Sequence, residues 1–430
     1  MRIAFKTFGC KANSVDTDSL YMEAQRRGFL VVDENEVADA YLINSCTVTA
    51  HADRDARAQV SRFKRLNPNA LVGVVGCYAQ VAREELLAIP EINFVVGTAE
   101  KYKMLDHFRA GFVNAAIARD QVSATTGFMP EIFLGSRYAR ASIKIQDGCN
   151  FKCSFCIIPE ARGRSRSLSD SIILDQINEA YAQGFREVVL TGIHLAHYGW
   201  DRGSDLMGLL KQIFAQLQIP RVRLSTLDPF EIPDELVALL STEPRLCPHF
   251  HIALQSGSDK ILARMRRIYK SREFVTVTQK IGRANPRTFI GVDVIVGFPG
   301  ETDEDFDLTV ACLEKSYWTK LHVFPFSLRK GTRAELLPDH VPSAVIHRRA
   351  KILRDLSDRR RNDFLEAQVE SDFDVVLERP YPKSAGVWLG HTENYLPTRV
   401  AVGCDAVVAK SIIRSKIIQR DGEWVSAVPC

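Results

Sequence analysis

Apolar residues along the first hundred positions fall into short runs that alternate with longer amphipathic stretches. A short apolar run bounded by turn residues is typical of a buried strand, whereas helical periodicity is typical of an amphipathic helix. We predict strands at 2–8, 39–44, 70–75 and 92–96, and helices at 15–27, 49–66 and 80–87. This alternation indicates a small parallel sheet with covering helices.

From residue 137 the same alternation resumes on a larger scale. We predict strands at 142–146, 187–191, 222–226, 249–254, 288–296 and 321–326. We predict helices at 169–183, 206–217, 234–240, 259–267, 272–284 and 303–316. This series of strand-helix units indicates an incomplete (β/α) barrel, whose active site would lie at the carboxyl ends of the strands.

The C-terminal part of the chain consists of short β runs broken by proline and glycine, at 373–377, 386–389, 400–402 and 406–409. This pattern favours a small all-β barrel. A less regular stretch at 109–136 is the predicted linker. We therefore expect an α/β protein with an N-terminal parallel α/β domain (1–108), a central partial (β/α)6 barrel (137–367) and a C-terminal all-β barrel (368–430).

The composition is that of an ordinary globular protein, because 46% of the 430 residues are apolar and 25% are charged. No window holds the ~18 consecutive apolar residues of a membrane span. Residues 1–8 lack the length and flanks of a signal peptide. We expect a cytoplasmic protein without a membrane partner, where thiols stay reduced and cysteine spacing indicates metal binding or catalysis.

The net charge of +4 is unevenly distributed. Seven Lys/Arg accompany two acidic residues at 137–166, and seven accompany three at 343–363. Such clusters suit a phosphate backbone, although a solvated helix face has the same pattern.

Cys149, Cys153 and Cys156 stand at CxxxCxxC spacing directly after the first predicted barrel strand. A loop of this kind can fold three thiolates around one iron-sulfur cube and leave one iron open to a ligand or substrate. A zinc knuckle and three unpaired thiols are the alternatives. Zinc sites more often use paired CxxC or Cys/His sets, and the sequence offers no fourth ligand nearby.

Cys10, Cys46 and Cys77 each follow a predicted strand of the N-terminal sheet by one to three residues. The carboxyl ends of parallel strands meet at one edge of a sheet, which is also where such folds bind ligands. The pattern therefore predicts that three distant cysteines converge on a second metal site. Incidental buried thiols are the alternative.

Glycine and polar residues follow the remaining barrel strands, where glycine lets backbone approach a ligand and polar groups supply hydrogen bonds. The candidate cofactor contacts are Thr191, Gly192, Ser225, Asp228, Gln255 and Gly297. Arg162, Arg164 and Arg166 follow the cysteine loop and could hold a ligand carboxylate or an RNA phosphate by bidentate bonds. Ordinary turn chemistry and a solvated loop are the respective alternatives.

Together these residues resemble the methylthiotransferases of the radical S-adenosylmethionine (SAM) superfamily, over nearly the whole chain. The cysteine loop, with the aromatic Phe155 before its last cysteine, resembles the SAM-cluster loop of that family. Further similar stretches are the second-cluster motifs at 7–13, 44–49 and 76–80 and the barrel motifs at 254–258 and 297–302. Residues 390–395 resemble part of its TRAM domain, a small RNA-binding barrel.

The resemblance implies two 4Fe-4S clusters and SAM as cofactors. Cys149, Cys153 and Cys156 would hold the cluster that cleaves SAM to a 5′-deoxyadenosyl radical, which abstracts hydrogen from carbon 2 of an adenine. Cys10, Cys46 and Cys77 would hold the cluster that presents the sulfur. The implied partners are a tRNA anticodon loop, a low-potential electron donor of the flavodoxin or ferredoxin type, and a sulfur donor.

Three substrate classes compete within the family. Lys11, Asn13 and the stretch 156–167 resemble the branch that acts on N6-threonylcarbamoyladenosine in tRNA. The branch that acts on isopentenyladenosine typically has Gln where Lys11 stands, and a third branch modifies an aspartate of a ribosomal protein. Asp228 departs from the expected Glu, which puts its role at the SAM site in doubt. A non-catalytic iron-sulfur RNA-binding protein is the alternative of another class.

Overall fold

The computed structural model describes residues 1–101, 104–110, 137–403 and 407–430. Its N-terminal strands are β1 (Arg2–Thr7), β2 (Leu30–Val32), β3 (Ala40–Ser45), β4 (Leu71–Gly76) and β5 (Phe94–Val96). They form a parallel sheet in the order β2-β1-β3-β4-β5. The helices of this part are α1 (Lys11–Arg26), α2 (Ala50–Leu66), α3 (Cys77–Val81), α4 (Arg83–Leu87) and α5 (Met104–Ala110).

The predicted parallel sheet is confirmed, with two differences. β2 was not predicted, and the helix predicted at 80–87 is divided at Ala82 into α3 and α4. The central strand β3 is buried along its whole length because helices cover both faces of the sheet. Tyr41 and Ile43 pack on one face, whereas Ala40 and Leu42 pack on the other.

The central part contains nine strands: β6 (Ala141–Lys144), β7 (Gln146–Asp147), β8 (Arg166–Ser167), β9 (Glu187–Thr191), β10 (Arg221–Leu224), β11 (Thr226–Leu227), β12 (His249–Gln255), β13 (Phe289–Val296) and β14 (Lys320–Pro325). Its helices are α6 (Ile158–Arg162), α7 (Asp170–Ala182), α8 (Leu206–Gln216), α9 (Asp234–Thr242), α10 (Asp259–Arg264), α11 (Ser271–Ala284), α12 (Asp303–Glu314) and α13 (Ser343–Glu366). The predicted barrel strands and helices are present. The parallel strands run β6-β9-β10 and β11-β12-β13-β14, which makes a partial barrel with β6 and β14 as its edges.

The lumen of this barrel is polar. Alternate residues of a strand point to opposite faces. The positions that pack outward against the helices are apolar and include Val188, Val222, Ile252, Val292 and Leu321. The neighbouring positions therefore face the lumen, and they carry Glu187, Arg223, His251, Asp293 and His322. In complete (β/α) barrels branched aliphatic side chains fill this space, whereas the charged groups here offer polar contacts to a ligand.

The C-terminal part forms a closed all-β barrel, as predicted. Its strands are β15 (Asp372–Pro380), β16 (Val387–Thr392), β17 (Pro397–Ala401), β18 (Ile412–Asp421) and β19 (Trp424–Pro429), in the order β15-β16-β17-β19-β18. The strand predicted at 406–409 is wrong for residues 407–409, which are not in a strand, and residue 406 lies outside the described residues. The prediction missed β18 and β19.

The N-terminal part covers the open side of the partial barrel. Asp16 of α1 is bonded to Lys144 of β6 at 2.6 Å, and the backbone N–H of Ala50 donates to Ser327 just after β14 at 3.0 Å. The C-terminal barrel closes the end of the lumen at which the barrel strands begin. There Phe289, the first residue of β13, packs with Phe373. The predicted linker at 109–136 lies outside the described residues from 111 onward, and among the described residues no helix is long and apolar enough to cross a membrane.

Candidate active site at the domain interface

The loop that carries the first cysteine triad, Cys149, Cys153 and Cys156, is fixed by backbone contacts. Gly148 has φ +76, and a Cβ there would lie 2.1 Å from the carbonyl oxygen of Arg164, so this position requires glycine. The Cys149 N–H donates to the Gly163 carbonyl at 3.0 Å. The loop therefore starts where β7 ends and closes back on the residues after α6.

Two side chains from other loops of the barrel contact the thiols of this first triad. Arg267 Nη1 donates to Cys153 Sγ at 3.2 Å, and His194 Nδ1 lies 3.8 Å from Cys149 Sγ. Burial raises the pKa of the Cys156 thiol to about 12, and it also raises the pKa of Cys153. The thiols of Cys153 and Cys156 therefore keep their protons until a metal centre displaces them.

The second triad, Cys10, Cys46 and Cys77, converges as predicted, because β1, β3 and β4 are adjacent in the sheet. Cys10 lies three residues after β1, Cys46 directly follows β3, and Cys77 begins α3 directly after β4. Burial, together with the neighbouring Cys77 and Cys10, raises the pKa of the Cys46 thiol to about 12. The three thiols thus lie at the same edge of the sheet.

Asn13 connects two of the loops that position these cysteines. Its side-chain Nδ2 donates to the carbonyl oxygens of Phe8 at 2.8 Å and Ser45 at 3.1 Å. Each acceptor lies within two residues of a cysteine, Cys10 and Cys46 respectively. The amide therefore fixes the separation of two thiols of the second triad.

The size of both triads fits a cluster better than a single metal ion. Sulfur atoms that share one zinc ion lie at about 2.3 Å from it, and so within about 4.6 Å of one another. Among the described residues, the one group of three donors within 4.8 Å of each other is His194, His197 and Glu231, and neither cysteine triad is that compact. A three-cysteine set with wider spacing suits an iron-sulfur cube.

Arg162, at the end of α6, connects the two triads. Its side chain is fully buried, and it bonds Asn13 of α1 and Asp147, two residues before Cys149. It also lowers the pKa of Cys77, which burial raises. The Nε atom of Arg162 is buried without a hydrogen-bond partner among the described residues, so an anionic cluster on Cys77 would provide its acceptor.

Arg162 belongs to a buried ion network between the N-terminal domain and the barrel. Asp16 contacts Lys101 at 2.5 Å, Lys144 at 2.6 Å and Arg162 at 3.1 Å. Asp147 pairs with Lys144 at 3.0 Å and with Arg162 at 2.8 Å. Burial acts to raise the pKa of both carboxyl groups, but the surrounding cations hold it below the usual range. These charges fix the distance between the triads.

The predicted contacts of the SAM site lie around the carboxyl ends of the barrel strands. Thr191 ends β9, Gln255 ends β12 with φ +62, and Gly297 follows β13 with φ +79. Gly192 abuts Gln146, and Phe155 packs edge-on against Phe298. Ser225 Oγ is buried without a hydrogen-bond partner among the described residues, as a position that awaits a ligand would be.

Two of the sequence-predicted polar residues are engaged differently from the expectation. Asp228 forms an ion pair with Arg267, and Arg267 donates a hydrogen bond to Cys153. The Asp228 carboxylate therefore holds the arginine that contacts the cysteine loop. Arg162 has no exposed surface, so an RNA phosphate, which was one of the two ligands considered for it from the sequence, cannot reach it. Arg164 is exposed, and Arg166 pairs with Asp147 at 3.4 Å. Arg164 therefore remains the member of the trio that is open to a phosphate.

The sequence analysis missed a group that supports the first triad. His194 Nε2 lies 2.7 Å from Glu231, and the stacked ring of His197 lies 3.9 Å away from that of His194. Burial acts to raise the pKa of Glu231, but the two histidines lower it to about 2. The two histidines at i and i+3 after β9 were the available sequence signal.

Gly9→Ala is expected to remove the metal centre of the second triad and leave the first. Gly9 has φ +105, and a Cβ there would lie 2.6 Å from the Cys46 Cβ and 2.8 Å from its sulfur. Iron content after anaerobic reconstitution should therefore fall by about half. Gly28→Ala is the matched control, since Gly28 has φ +83 with nothing within 4 Å of the added Cβ. Equal iron in the two variants would contradict the assignment.

Sequence families match both parts of this site. Residues 2–97 match the uncharacterized protein family UPF0004, and residues 143–313 match the radical SAM superfamily. The fold is similar to that of the radical S-adenosylmethionine methyltransferase TsrM from Kitasatospora setae, with a TM-score of 0.53 and 16% identity over 75% of this chain and 72% of that chain. The fold and the cysteine loop thus define a radical SAM enzyme.

Sequence relatives narrow the class further. The threonylcarbamoyladenosine tRNA methylthiotransferase MtaB of Aquifex aeolicus is 38% identical over 85% of this chain and 90% of the relative. MtaB of Bacillus subtilis is 34% identical over 99% and 97%, respectively. The tRNA-2-methylthio-N(6)-dimethylallyladenosine synthase of Dictyoglomus thermophilum is 33% identical over 90% of each chain. This chain belongs to the radical SAM methylthiotransferase family, and it is a tRNA methylthiotransferase.

Proposed function

We propose that this enzyme inserts a sulfur and a methyl group at carbon 2 of N6-threonylcarbamoyladenosine, at position 37 of tRNA, to give the 2-methylthio derivative. The observation that supports it most is the pair of cysteine triads that Arg162 connects across one buried interface. One triad alone would suit SAM cleavage, and the second provides a separate place for sulfur. The relatives named for this nucleoside supply the choice of base.

In this proposal the chain contributes ligands, orientation and exclusion of water. Each triad offers three thiolates, which fits two 4Fe-4S clusters, and the carboxyl ends of the barrel strands offer the polar groups for SAM. When bound, these cofactors supply the radical and sulfur chemistry. Because the reaction consumes electrons and sulfur, the proposal includes a low-potential donor of the flavodoxin or ferredoxin type and a sulfur donor. It also includes the cytoplasm as the compartment, since tRNA is the substrate.

The RNA surface in this proposal combines the C-terminal barrel, as a TRAM domain, with the exposed side of α13. Of the basic residues on this helix, Arg349 and Arg361 are buried against Glu301 and Glu423. The exposed ones are Arg348, Lys351, Arg354 and Arg359. An anticodon loop is single-stranded, so its modified base can turn out of the loop and enter the polar lumen while the phosphates stay outside.

Replacing Arg354 and Arg359 together with Gln is expected to weaken tRNA binding and reduce its dependence on salt. Each lost phosphate contact lowers the slope of log K against log salt by about 0.7 to 0.9, and binding isotherms at several salt concentrations measure that slope. Arg272→Gln removes an exposed charge from α11 on the outside of the barrel and is the control. An unchanged slope in the double variant would exclude α13 from the RNA surface.

A panel of substrates tests the proposed function itself. The reconstituted enzyme is incubated anaerobically with SAM, a reductant and stem-loop RNAs that carry threonylcarbamoyladenosine, isopentenyladenosine or unmodified adenosine. We expect methylthiolation of the first alone. Modification of the isopentenyl RNA instead, or of a ribosomal protein added in parallel, would replace the proposal with one of the other two branches.

A further inference from the structure

A group of charged side chains lies at the end of the lumen that the C-terminal barrel closes. Tyr395, between β16 and β17, reaches into this end of the lumen, and its ring lies 4.8 Å from that of His249. The guanidinium groups of Arg140 and Arg223 lie 5.0 Å and 4.9 Å from the Tyr395 ring. The C-terminal barrel and the central part of the chain thus meet around one tyrosine.

Each arginine in this group has a carboxylate partner. Arg223 pairs with Glu187 at 2.7 Å, and Arg140 pairs with Glu378 at 2.9 Å. Arg221, two residues before Arg223 in β10, lies 3.4 Å from both Glu187 and Glu393. These arginines and glutamates therefore balance one another and leave no free anion for a further cation.

Lys11 adds an unbalanced positive charge to this group. It is the first residue of α1, and its ammonium lies 5.8 Å from the centroid of the Tyr395 ring. Within the part of the chain that the structure describes, no carboxylate lies within 4.0 Å of it, and no hydrogen bond to it is formed. The residue is nonetheless exposed, so its side chain extends through water-accessible space toward the lumen.

The position of Lys11 in the chain places it beside the second triad. It directly follows Cys10, and its ammonium approaches the same Tyr395 ring that Arg223 and Arg140 face. A base whose ring faces the second triad would therefore have its exocyclic substituent within reach of the lysine. The ammonium is a compact point charge with three donors, which suits a carboxylate.

We propose that Lys11 binds the free carboxylate of the threonyl group and thereby selects an anionic N6 substituent over an uncharged one. This inference rests on the proposed function. In threonylcarbamoyladenosine the amino nitrogen of threonine is acylated and carries no positive charge, so the ionised carboxylate gives the substituent a net negative charge. An uncharged substituent in the same place would desolvate the ammonium without supplying a partner, which disfavours it.

The test compares two RNAs within each protein preparation. One stem-loop carries threonylcarbamoyladenosine, and the other carries its methyl ester, which removes the negative charge. For the unmodified enzyme we expect kcat/KM to be about 10- to 100-fold lower for the ester, the range of a charge-assisted hydrogen bond. Lys11→Gln should lower kcat/KM for the acid by a similar factor and leave the ester unchanged, whereas Lys11→Arg should keep most of the preference.

Controls separate this inference from cluster loading and from the proposed function. Because Lys11 adjoins Cys10, its replacement could lower the fraction of enzyme that holds a complete cluster. The ratio of kcat/KM for the acid to kcat/KM for the ester is therefore measured within one preparation, where that fraction cancels. The dissociation constants of both RNAs provide a second, independent measurement. Lys211→Gln removes an exposed charge from α8 and should keep the full preference. A Lys11→Gln enzyme that still prefers the acid would overturn the inference. An unmodified enzyme inactive on both RNAs would overturn the proposed function instead.

Discussion

Cys46→Ala is expected to abolish methylthiolation but to leave the cleavage of SAM intact. The reconstituted enzyme should hold about eight iron atoms per chain if both triads carry a 4Fe-4S cluster, and the variant about four. Cys46 follows the carboxyl end of β3 in the N-terminal domain, whereas the loop that holds the first triad belongs to the barrel. Loss of one ligand set therefore leaves the other, and 5′-deoxyadenosine should still form without a methylthiolated nucleoside.

Cys153→Ala gives the complementary result. Its iron content should also fall by about half, but 5′-deoxyadenosine should no longer form, because Cys153 belongs to the triad beside the SAM contacts. Cys312→Ala is the control, since this buried cysteine belongs to neither triad. Either of two results would contradict the assignment of separate roles to the two triads. One is the loss of all iron from either triad variant, and the other is the loss of SAM cleavage in Cys46→Ala.

Arg162→Met is expected to lower the free energy of unfolding by about 3–5 kcal/mol, because removing one partner of a buried ion pair leaves an uncompensated charge. Asp16 and Asp147 would both lose a cation, although Lys144 still contacts them. Asn13 would lose its bond to the guanidinium, and the second triad its support. Urea denaturation of the cluster-free protein and iron content after reconstitution measure the two effects.

Arg164→Met controls for the loss of a positive charge in the same loop. Arg164 is exposed, so its replacement should leave the free energy of unfolding within about 0.5 kcal/mol of the original value. An Arg162→Met protein that is as stable as Arg164→Met and binds the full complement of iron would contradict this account. The buried ion network would then not fix the position of the N-terminal domain on the barrel.

Periodicity predicted the parts of the fold that are buried along a continuous run. β3 and β9 are buried over their full length, and both were predicted within one residue at each end. β18 escaped prediction because charged residues interrupt its apolar positions, as in Arg414 and Lys416. In a small barrel the outer face of each strand stays in water, so the apolar pattern is weak there.

The convergence of Cys10, Cys46 and Cys77 was predictable for a simple reason, namely that parallel strands place their carboxyl ends along one edge. The hydrogen-bond partners of the Arg162 side chain were not predictable in this way. Its partner Asn13 lies 149 positions away in the sequence, and only the packing of two domains brings them together. Lys11 was noted for its resemblance alone, and its position in the lumen depends on the same domain packing.

The most direct test of the central claim is mass spectrometry of tRNA nucleosides from a strain of the source organism that lacks this gene. We expect the 2-methylthio derivative of N6-threonylcarbamoyladenosine to disappear and threonylcarbamoyladenosine itself to accumulate. Restoring the gene should bring the derivative back, and restoring it with Cys46→Ala should not. If the 2-methylthio derivative persisted in the deletion strain at its normal level, the proposed function would be contradicted.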